Sequence, residues 1–420
     1  GYPWSTIQSN VRERFDVAGA PAHVPVEGWI QLETARRMFA AGGHDFAALE
    51  RSARTRGFRP VSLGGTASFR ARNAVRRVNS RNVVARLPGS DPAVTDEAVL
   101  FSAHWDSFGI GRVINGDSIY NGALDDASGV AWLISTGRAY RSLPTAPRRS
   151  LVFVAFTAEE QGLLGARYYA QHPVVPLAKT LADINMDAMN PWGRTRSLVS
   201  LGYGQSSLET LLATEAARDS RRVVPDPEPE KGYFYRADHL ELARGGVPSI
   251  SFLFPGTDYL NQPADYAERV RGAYIRDDYH KPTDEVKADW DMAGIVDDTR
   301  LTYRVGLSVA NGAEWPMWST GSEFRAKREQ SLGGGLNRTS LDYSRLLTHL
   351  RFAIERVRRG EEVRSTDRLA ELLGREYPEM YSLAWKLTKV MEKRLGLPVY
   401  KAEVSYLTVH LQRLAEREGL

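Results

Sequence analysis

Residues 150–162 of this 420-residue chain decide the fold: Ser150-Leu151-Val152-Phe153-Val154-Ala155-Phe156-Thr157, then Ala158-Glu159-Glu160-Gln161-Gly162. The first part is a nearly continuous apolar run of strand length, which is typical of a strand buried on both faces. Similar runs lie at Asn82–Leu87, Ala98–Ala103, Thr180–Met186 and Val247–Leu253, and helical stretches such as Gly129–Tyr140 and Ser207–Ala217 separate them. This alternation predicts an α/β fold whose mixed, mostly parallel sheet carries helices on both faces.

The composition excludes several classes of protein. Hydrophobic residues make up 42% and charged residues 25% of the chain, which is ordinary for a globular protein and argues against general disorder or a fibre. No apolar run reaches the roughly 18–20 residues of a membrane helix, so we expect no membrane contact. Cysteine is absent, which excludes disulfides, thiol nucleophiles and cysteine metal sites. The opening Gly1-Tyr2-Pro3-Trp4 lacks a secretory leader, so we expect a cytoplasmic chain or one whose leader is missing.

The charge and the glycine content divide the chain at the same place. Residues 336–420 hold 16 Lys and Arg against 12 Asp and Glu, which is the whole net charge of +4, and the rest is balanced at 39 of each. Ser331-Leu332-Gly333-Gly334-Gly335 resembles a flexible linker. We therefore predict an N-terminal region at 1–75, a catalytic domain at 76–330, a linker at 331–336 and an all-α bundle at 337–420.

Periodic apolar residues define the helices outside the α/β region. In the tail they predict helices over 343–357, Asp367–Leu373, Tyr381–Leu395 and Lys401–Arg417. Residues 1–75 contain an amphipathic helix at Glu33–Ala41 and a second one near Phe46–Arg56.

Five polar segments of the α/β region carry the residues of a metal site. Each follows a predicted strand or precedes a helix, where open α/β sheets bind their ligands. Histidines and carboxylates without cysteine suit zinc, and a shared carboxylate can bridge two ions. A further, unligated carboxylate must then take a proton from water, which the pair Glu159-Glu160 allows. The segments are 103–106, 122–129, 157–162, 184–187 and 277–284.

These segments resemble the co-catalytic dizinc aminopeptidase family, which includes bacterial leucyl aminopeptidases and glutamate carboxypeptidase II. The resemblance implies a zinc-dependent exopeptidase, most simply an aminopeptidase, with two zinc ions per chain and a peptide substrate. It implies that Asp125 bridges the ions. The metal ligands it implies are His104, Asp125, Glu160, Asp187 and His280.

The same resemblance assigns the remaining roles. Glu159 would be the general base that activates the metal-bridging water, Asp106 would orient the imidazole of His104, and Tyr279 would donate its hydroxyl to the oxyanion. Asp238 and His239 match a loop near the substrate pocket, and we give them a supporting role only. Residues 1–75 resemble the trailing half of a protease-associated insert, which is common in exported members and implies a secreted or periplasmic parent protein.

Other interpretations stay open at this point. Taken singly, each residue has a structural explanation; Asp125-Asp126, for example, is typical of a helix N-cap. The same fold also carries single-zinc glutaminyl cyclisation, although the complete set of five ligands favours the peptidase.

The basic tail resembles the PTS regulation domain of bacterial antiterminators. His349 and His410 match its two phosphorylatable histidines, although a histidine at the edge of a helical core is the simpler structural explanation. The resemblance implies phosphotransferase-system proteins as partners, homodimer formation through the helical domain, and a cytoplasmic location. That location conflicts with export, so the triple-glycine join leads us to expect a fused module. Its basic residues alternate with acidic ones, so we expect no nucleic-acid partner.

Overall fold

The central sheet of the protein is built from nearly continuous apolar strands, as a computed structural model shows. The structure describes residues 4, 14–19, 26, 28–55, 57–70, 72, 74–332, 341–361 and 367–418. Their strands are β1 (Val83–Leu87), β2 (Ala98–His104), β3 (Gly109–Ile114), β4 (Asp117–Tyr120), β5 (Ser150–Phe156), β6 (Thr180–Met186), β7 (Thr195–Val199), β8 (Arg222–Val224), β9 (Ser249–Phe252) and β10 (Gly256–Tyr259).

Helices alternate with these strands and continue alone after residue 324. They are α1 (Leu32–Ala41), α2 (Phe46–Ala53), α3 (Ala127–Arg141), α4 (Leu164–Gln171), α5 (Leu208–Ala217), α6 (His239–Arg244), α7 (Tyr266–Asp277), α8 (Ala293–Asn311), α9 (Arg325–Leu332), α10 (Leu341–Arg359), α11 (Asp367–Glu376), α12 (Pro378–Leu395) and α13 (Lys401–Glu418). The chain divides into two compact units, Gly1–Ser322 and Glu323–Leu420.

The five-stranded sheet of the first unit has the order β1-β5-β2-β6-β9. Strands β5, β2, β6 and β9 run parallel to one another, and only the edge strand β1 is antiparallel to its neighbour. The predicted mixed, mostly parallel sheet is therefore confirmed.

Both faces of this sheet are buried, which explains why its strands show no polar alternation. Along β2, Val99, Phe101 and Ala103 pack on one side with residues of α3, α5 and α8, whereas Ala98 and Leu100 pack on the other side with residues of α4 and α6. Burial of these apolar side chains stabilises the folded state by about 25 cal/mol for each Å² of apolar surface removed from water. The two layers fix the carboxyl ends of β2, β5 and β6 beside one another.

Two smaller sheets and two helices complete the first unit. The order β10-β7-β8 forms a three-stranded sheet, and β3 and β4 form a hairpin just after β2. Helices α1 and α2 meet through Phe39 and Phe46, whose ring centroids are 5.1 Å apart, and neither helix contains a buried residue. The likeness of residues 1–75 to a partial insert stays a prediction.

The second unit is the predicted all-α bundle. Its core joins Leu346 of α10, Ala384 of α12 and three leucines of α13, Leu407, Leu411 and Leu414. The helices follow the apolar periodicity of the sequence. The divide between the units precedes the predicted linker, whose Gly333–Gly335 lie outside the described residues. No described helix is both long enough and apolar enough to span a membrane.

Candidate metal and catalytic site

The polar segments converge at the carboxyl edge of the central sheet. His104 is the last residue of β2, Asp187 follows β6, and Glu159 and Glu160 lie in the turn between β5 and α4. Asp125 lies just before α3 in the connection that follows the hairpin. Because parallel strands bring these ends together, residues separated by up to 83 positions become neighbours.

The first group of donor atoms joins His104, Asp125 and Asp187. One donor atom from each lies within 4.8 Å of the others, and all three residues are buried. Nε2 of His104 is 3.1 Å from Oδ1 of Asp125 and 3.8 Å from Oδ1 of Asp187. One imidazole nitrogen and two carboxylate oxygens at such distances can hold a divalent ion.

The second group joins Asp125, Glu160 and His280 within the same 4.8 Å limit. Nε2 of His280 is 3.2 Å from Oδ2 of Asp125 and 3.2 Å from Oε2 of Glu160. Asp125 thus turns one carboxylate oxygen toward each histidine. The sequence placed these five residues in one site, and the structure brings all five together.

The donor set fits a pair of divalent ions. Oε1 of Glu160 and Nδ1 of His280 are buried and have no hydrogen-bond partner among the described residues. Four carboxylates, those of Asp125, Glu159, Glu160 and Asp187, face only two imidazoles here. Uncompensated buried carboxylates are costly unless they bind a cation, so the residues favour occupation by metal.

The charges of the site are strongly coupled. Burial alone would lower the pKa of His104, but the carboxylate of Glu159, together with contacts to Asp106 and Asp125, raises that pKa well above its usual range. Burial raises the pKa of Glu159 well above the usual value of a glutamate. Burial would also raise the pKa of Asp125, but its contacts to the two histidines lower it below its ordinary range.

Asp106 connects the loop of His104 to the loop of Glu159. Its carboxylate accepts the backbone N–H of Glu159 at 3.0 Å and that of Glu160 at 3.3 Å. Nδ1 of His104 lies 3.1 Å from the backbone carbonyl oxygen of Asp106 and 3.7 Å from its carboxylate. The hydrogen bonds from the Glu159-Glu160 turn are contacts that the sequence did not indicate. The side chain of Asp106 therefore mainly positions this turn.

Sequence reasoning missed two other positioning carboxylates. Asp126 caps α3 by accepting the N–H of Gly129 at 2.9 Å, and it also accepts the N–H groups of His104 and Ala188 at 3.1 Å. Asp284 accepts the N–H groups of Leu124 at 3.0 Å and Asp125 at 3.2 Å. Burial raises the pKa of Asp284 to about 6. The position of Asp126 before a helix was a signal for the cap, but nothing in the sequence indicated the contacts of Asp284.

A cleft of about 770 Å³ opens onto the two groups of ligands. Tyr279 lines it, and its ring stacks on the imidazole of His280 with centroids 3.6 Å apart. Asp238 and His239, which the sequence placed near the substrate pocket, are buried at the start of α6 and do not line the cleft, whereas Arg236, Ala237 and Leu240 do. Burial raises the pKa of Asp238 well above its usual range and lowers the pKa of His239 to about 3.

The two histidines of the second unit also lie together. The rings of His349 on α10 and His410 on α13 have centroids 4.8 Å apart. Nε2 of His349 is 3.3 Å from Oε2 of Glu403, a buried carboxylate that also accepts two hydrogen bonds from the guanidinium of Arg356, at 2.9 and 3.0 Å. Burial acts to raise the pKa of Glu403, but these contacts outweigh it and lower that pKa.

A family comparison identifies the chain as a hydrolase of the metallopeptidase class. The model of a family described as "Peptidase family M28" matches residues 82–303, which is more than half of the chain. The chain therefore belongs to peptidase family M28. A second model, described as "PRD domain", matches residues 324–414 and begins next to the divide between the two units.

Two curated relatives each match about a fifth of the chain. The PtsGHI operon antiterminator of Bacillus subtilis is 43% identical over 89 residues, covering 21% of this chain and 32% of that protein. Protein GlcT of Staphylococcus saprophyticus is 33% identical over 88 residues, covering 21% of this chain and 31% of that protein. The chain thus spans about a third of the length of the curated relatives it matches.

Two solved structures each match slightly more than half of the chain at low identity. The LapA aminopeptidase of Legionella pneumophila has a TM-score of 0.40 at 19% identity and covers 56% of this chain and 55% of its own. The glutaminyl cyclase of Porphyromonas gingivalis has a TM-score of 0.37 at 20% identity and covers 53% of this chain and 76% of its own.

Proposed function

We propose that the first unit is a zinc-dependent exopeptidase, an aminopeptidase, that holds two zinc ions. The observation that carries the proposal is the shared carboxylate: Oδ1 of Asp125 faces His104 at 3.1 Å, and Oδ2 faces His280 at 3.2 Å. Two groups of ligands joined by one carboxylate are the arrangement that a two-metal hydrolytic site requires. Membership of a peptidase family supports the same conclusion.

Five residues would hold the ions. His104 and Asp187 would complete one coordination group and Glu160 and His280 the other, with Asp125 common to both. When bound, the two ions lower the pKa of a water molecule toward neutrality and polarise the scissile carbonyl.

Glu159 is the residue that we assign as general base. Its Oε2 is 3.9 Å from Nε2 of His104, so its carboxylate faces the first group of ligands. It lines the cleft next to Glu160 and is absent from both groups. A carboxylate in this position can accept a proton from water and return it to the departing amine. The raised pKa of Glu159 makes its carboxylate a stronger proton acceptor, which favours the first of these transfers.

Tyr279 supports the transition state from the other wall of the cleft. The stacking of its ring on His280 fixes the direction of its side chain. A phenolic hydroxyl held in this way can donate a hydrogen bond to the oxygen that becomes negative during the reaction. Tyr279→Phe removes only this donor and keeps the stacking.

Metal analysis combined with a substrate panel tests the proposal. The full chain, purified and loaded with zinc, should contain about two zinc ions and hydrolyse aminoacyl-p-nitroanilides, and Asp125→Asn should lose both properties. Asp117→Asn, a change at a half-buried carboxylate of β4 that belongs to neither group of ligands, is the matched control. Cyclisation of an N-terminal glutaminyl peptide with about one zinc per chain would instead support the glutaminyl cyclase alternative.

The second unit supports a separate, regulatory function. We infer that His349 and His410 accept phosphate from phosphotransferase-system proteins, because the two rings adjoin and Arg356 provides a guanidinium nearby. A phosphate adds up to two negative charges, which an arginine can pair. Incubation with the phosphocarrier protein, the phosphotransferase-system enzyme that loads it and labelled phosphoenolpyruvate should label the wild type and spare the His349→Ala, His410→Ala double variant. Association of two copies through this unit stays a prediction.

A further inference from the structure

The two histidines of the ligand groups are held in different ways. Nδ1 of His104 lies 3.1 Å from the backbone carbonyl oxygen of Asp106, which can accept a proton from it. A metal-binding histidine usually gains its orientation from such an acceptor at the second ring nitrogen. Nδ1 of His280 is buried and has no hydrogen-bond partner among the described residues. The imidazole of His280 therefore depends on contacts of another kind for its orientation.

Two aromatic rings contact this imidazole. The ring of Tyr279 is stacked on it, with centroids 3.6 Å apart and an angle of 25° between the planes. The ring of Phe108 meets it edge to face, with centroids 4.7 Å apart and an angle of 63°. Stacked and edge-to-face arrangements are those that aromatic pairs prefer. The side chain of His280 thus packs against two rings at once.

Phe108 is itself held in place by the hairpin that follows β2. It directly precedes β3, and its ring meets the ring of Tyr120 at a centroid distance of 6.0 Å and an angle of 69°. Tyr120 is 3% exposed, and its hydroxyl donates to the backbone carbonyl of Arg112 at 3.1 Å. The hairpin therefore brings a supported ring to a ligand that lies far later in the chain.

Metal binding should strengthen these ring contacts. Nε2 of His280 is the atom that lies 3.2 Å from both Asp125 and Glu160, so the ion would bind at this nitrogen. An imidazole that binds a cation carries part of its positive charge, and the electron-rich face of an aromatic ring attracts such a group. The two rings should therefore stabilise the metal-bound form of His280 more than the free form.

We propose that Phe108 is a positioning residue for the second group of ligands. Its ring, together with that of Tyr279, orients the imidazole of His280 in place of a hydrogen-bond acceptor at Nδ1. The inference rests on the proposed two-metal function and adds a residue that belongs to neither group of ligands. Phe108 does not line the cleft, so its effect on the reaction passes through His280.

Substitutions of Phe108 separate its ring from its apolar bulk. Phe108→Leu keeps an apolar side chain but loses the ring, so the zinc affinity of the His280 group should fall about tenfold. Phe108→Tyr keeps the ring and should retain the wild-type affinity. Titration of the full chain with zinc and a competing chelator measures the affinity for each ion. Phe69→Leu is the matched control, since Phe69 is 70% exposed and does not line the cleft, and it should change neither affinity.

A double-mutant cycle assigns the loss to His280. In a His280→Ala background the ring has no imidazole to orient, so Phe108→Leu should not change the affinity for the remaining zinc ion. In a His104→Ala background, Phe108→Leu should still lower that affinity about tenfold, because residues in contact are coupled. A loss of the same size in both backgrounds would show a general structural effect and would overturn the inference.

Two further results separate this inference from the proposed function. If Phe108→Leu binds two zinc ions with the wild-type affinities, Phe108 is not a positioning residue, and the two-metal peptidase proposal stands. If the wild type itself binds one zinc ion or none, both the inference and the two-metal proposal are wrong.

Discussion

The carboxylate of Asp106 accepts the backbone N–H of Glu159 at 3.0 Å, which ties the end of β2 to the turn after β5. The same carboxylate accepts the N–H of Glu160, so one side chain sets the positions of a proposed base and a proposed ligand. Nδ1 of His104 lies 3.1 Å from the backbone carbonyl oxygen of Asp106. A change at Asp106 should therefore affect chemistry and metal binding together.

Asp106→Ala removes both acceptors and frees the turn. We expect metal affinity and kcat/KM each to fall about 10- to 100-fold, the usual effect of losing a group that orients metal ligands. Asp106→Asn keeps one acceptor oxygen and should lose less. Zinc titration with a competing chelator and steady-state kinetics measure both quantities. Asp96→Ala, an exposed change near the other end of β2, is the control, and an equal loss in that variant would contradict the prediction.

Glu159→Gln separates catalysis from metal binding. An amide of the same shape cannot accept the proton, so we expect kcat to fall about 10²- to 10⁴-fold while the zinc content stays at the wild-type value. Glu160→Gln, the adjacent position, should lose zinc instead. Wild-type turnover by Glu159→Gln would exclude Glu159 as the base.

Removing one histidine should remove the metal of one group only. His280→Ala leaves His104, Asp125 and Asp187 in place, so we expect about one tightly bound zinc per chain. Asp125→Asn weakens both groups and should retain less zinc than either His280→Ala or His104→Ala. Elemental analysis after dialysis against a defined free zinc concentration measures this difference. Equal zinc contents in all three variants would argue against the shared carboxylate.

Glu209 predicts a pH dependence of stability away from the metal site. Its carboxylate accepts the N–H of Gly204 at 2.5 Å, and burial raises its pKa to about 7. A raised pKa means that the folded state binds the proton more tightly than the unfolded state, so stability is highest below pH 4.5 and decreases as the pH rises toward 7. Glu209→Gln removes this titration, so it should gain stability relative to the wild type over that range, by up to about 3 kcal/mol. Calorimetric unfolding at pH 5 and pH 8 tests it, with the exposed Glu314→Gln as control. Parallel pH profiles for Glu209→Gln and the wild type would contradict the prediction.

Glu403 is a buried carboxylate of the second unit that lies beside His349 and pairs with Arg356. Glu403→Ala leaves the guanidinium of Arg356 without its carboxylate, and breaking a buried pair costs about 3–5 kcal/mol. We expect the melting temperature of the helical unit to fall clearly in calorimetry of the full chain. Glu355→Ala, which breaks an exposed pair with Arg359, should change stability by less than about 1 kcal/mol. Equal effects of the two variants would show that the burial of Glu403 contributes nothing.

The sequence predicted the secondary-structure elements and the residue types of the site better than it predicted the contacts between those residues. The strand ends were recognisable because a run such as Leu151–Phe156 stops abruptly at polar residues. The fold class predicted from the alternation of strands and helices is confirmed by the structure. The strand order β1-β5-β2-β6-β9 could not be read in this way, since it depends on which apolar faces pack together.

The positioning carboxylates were hard to predict for a similar reason. Asp284 accepts hydrogen bonds from the backbone N–H groups of Leu124 and Asp125, about 160 residues earlier. Almost every residue type has a backbone N–H group, so the sequence gives no sign of such a contact. The arginines that line the cleft were equally hard to predict, because Arg167 lies on a helix and Arg236 in a loop, and only the tertiary structure brings them to one cleft.

The order of the ligands along the chain has a consequence for protein synthesis. The donors of the first group, His104, Asp125 and Asp187, all precede β7, whereas the second group waits for His280, which follows α7. A nascent chain therefore presents one complete set of donors more than ninety residues before the other. Synthesis therefore supplies the donors of the two groups in two stages, and a chain that stalls on the ribosome between them carries all the residues of the first group but lacks His280.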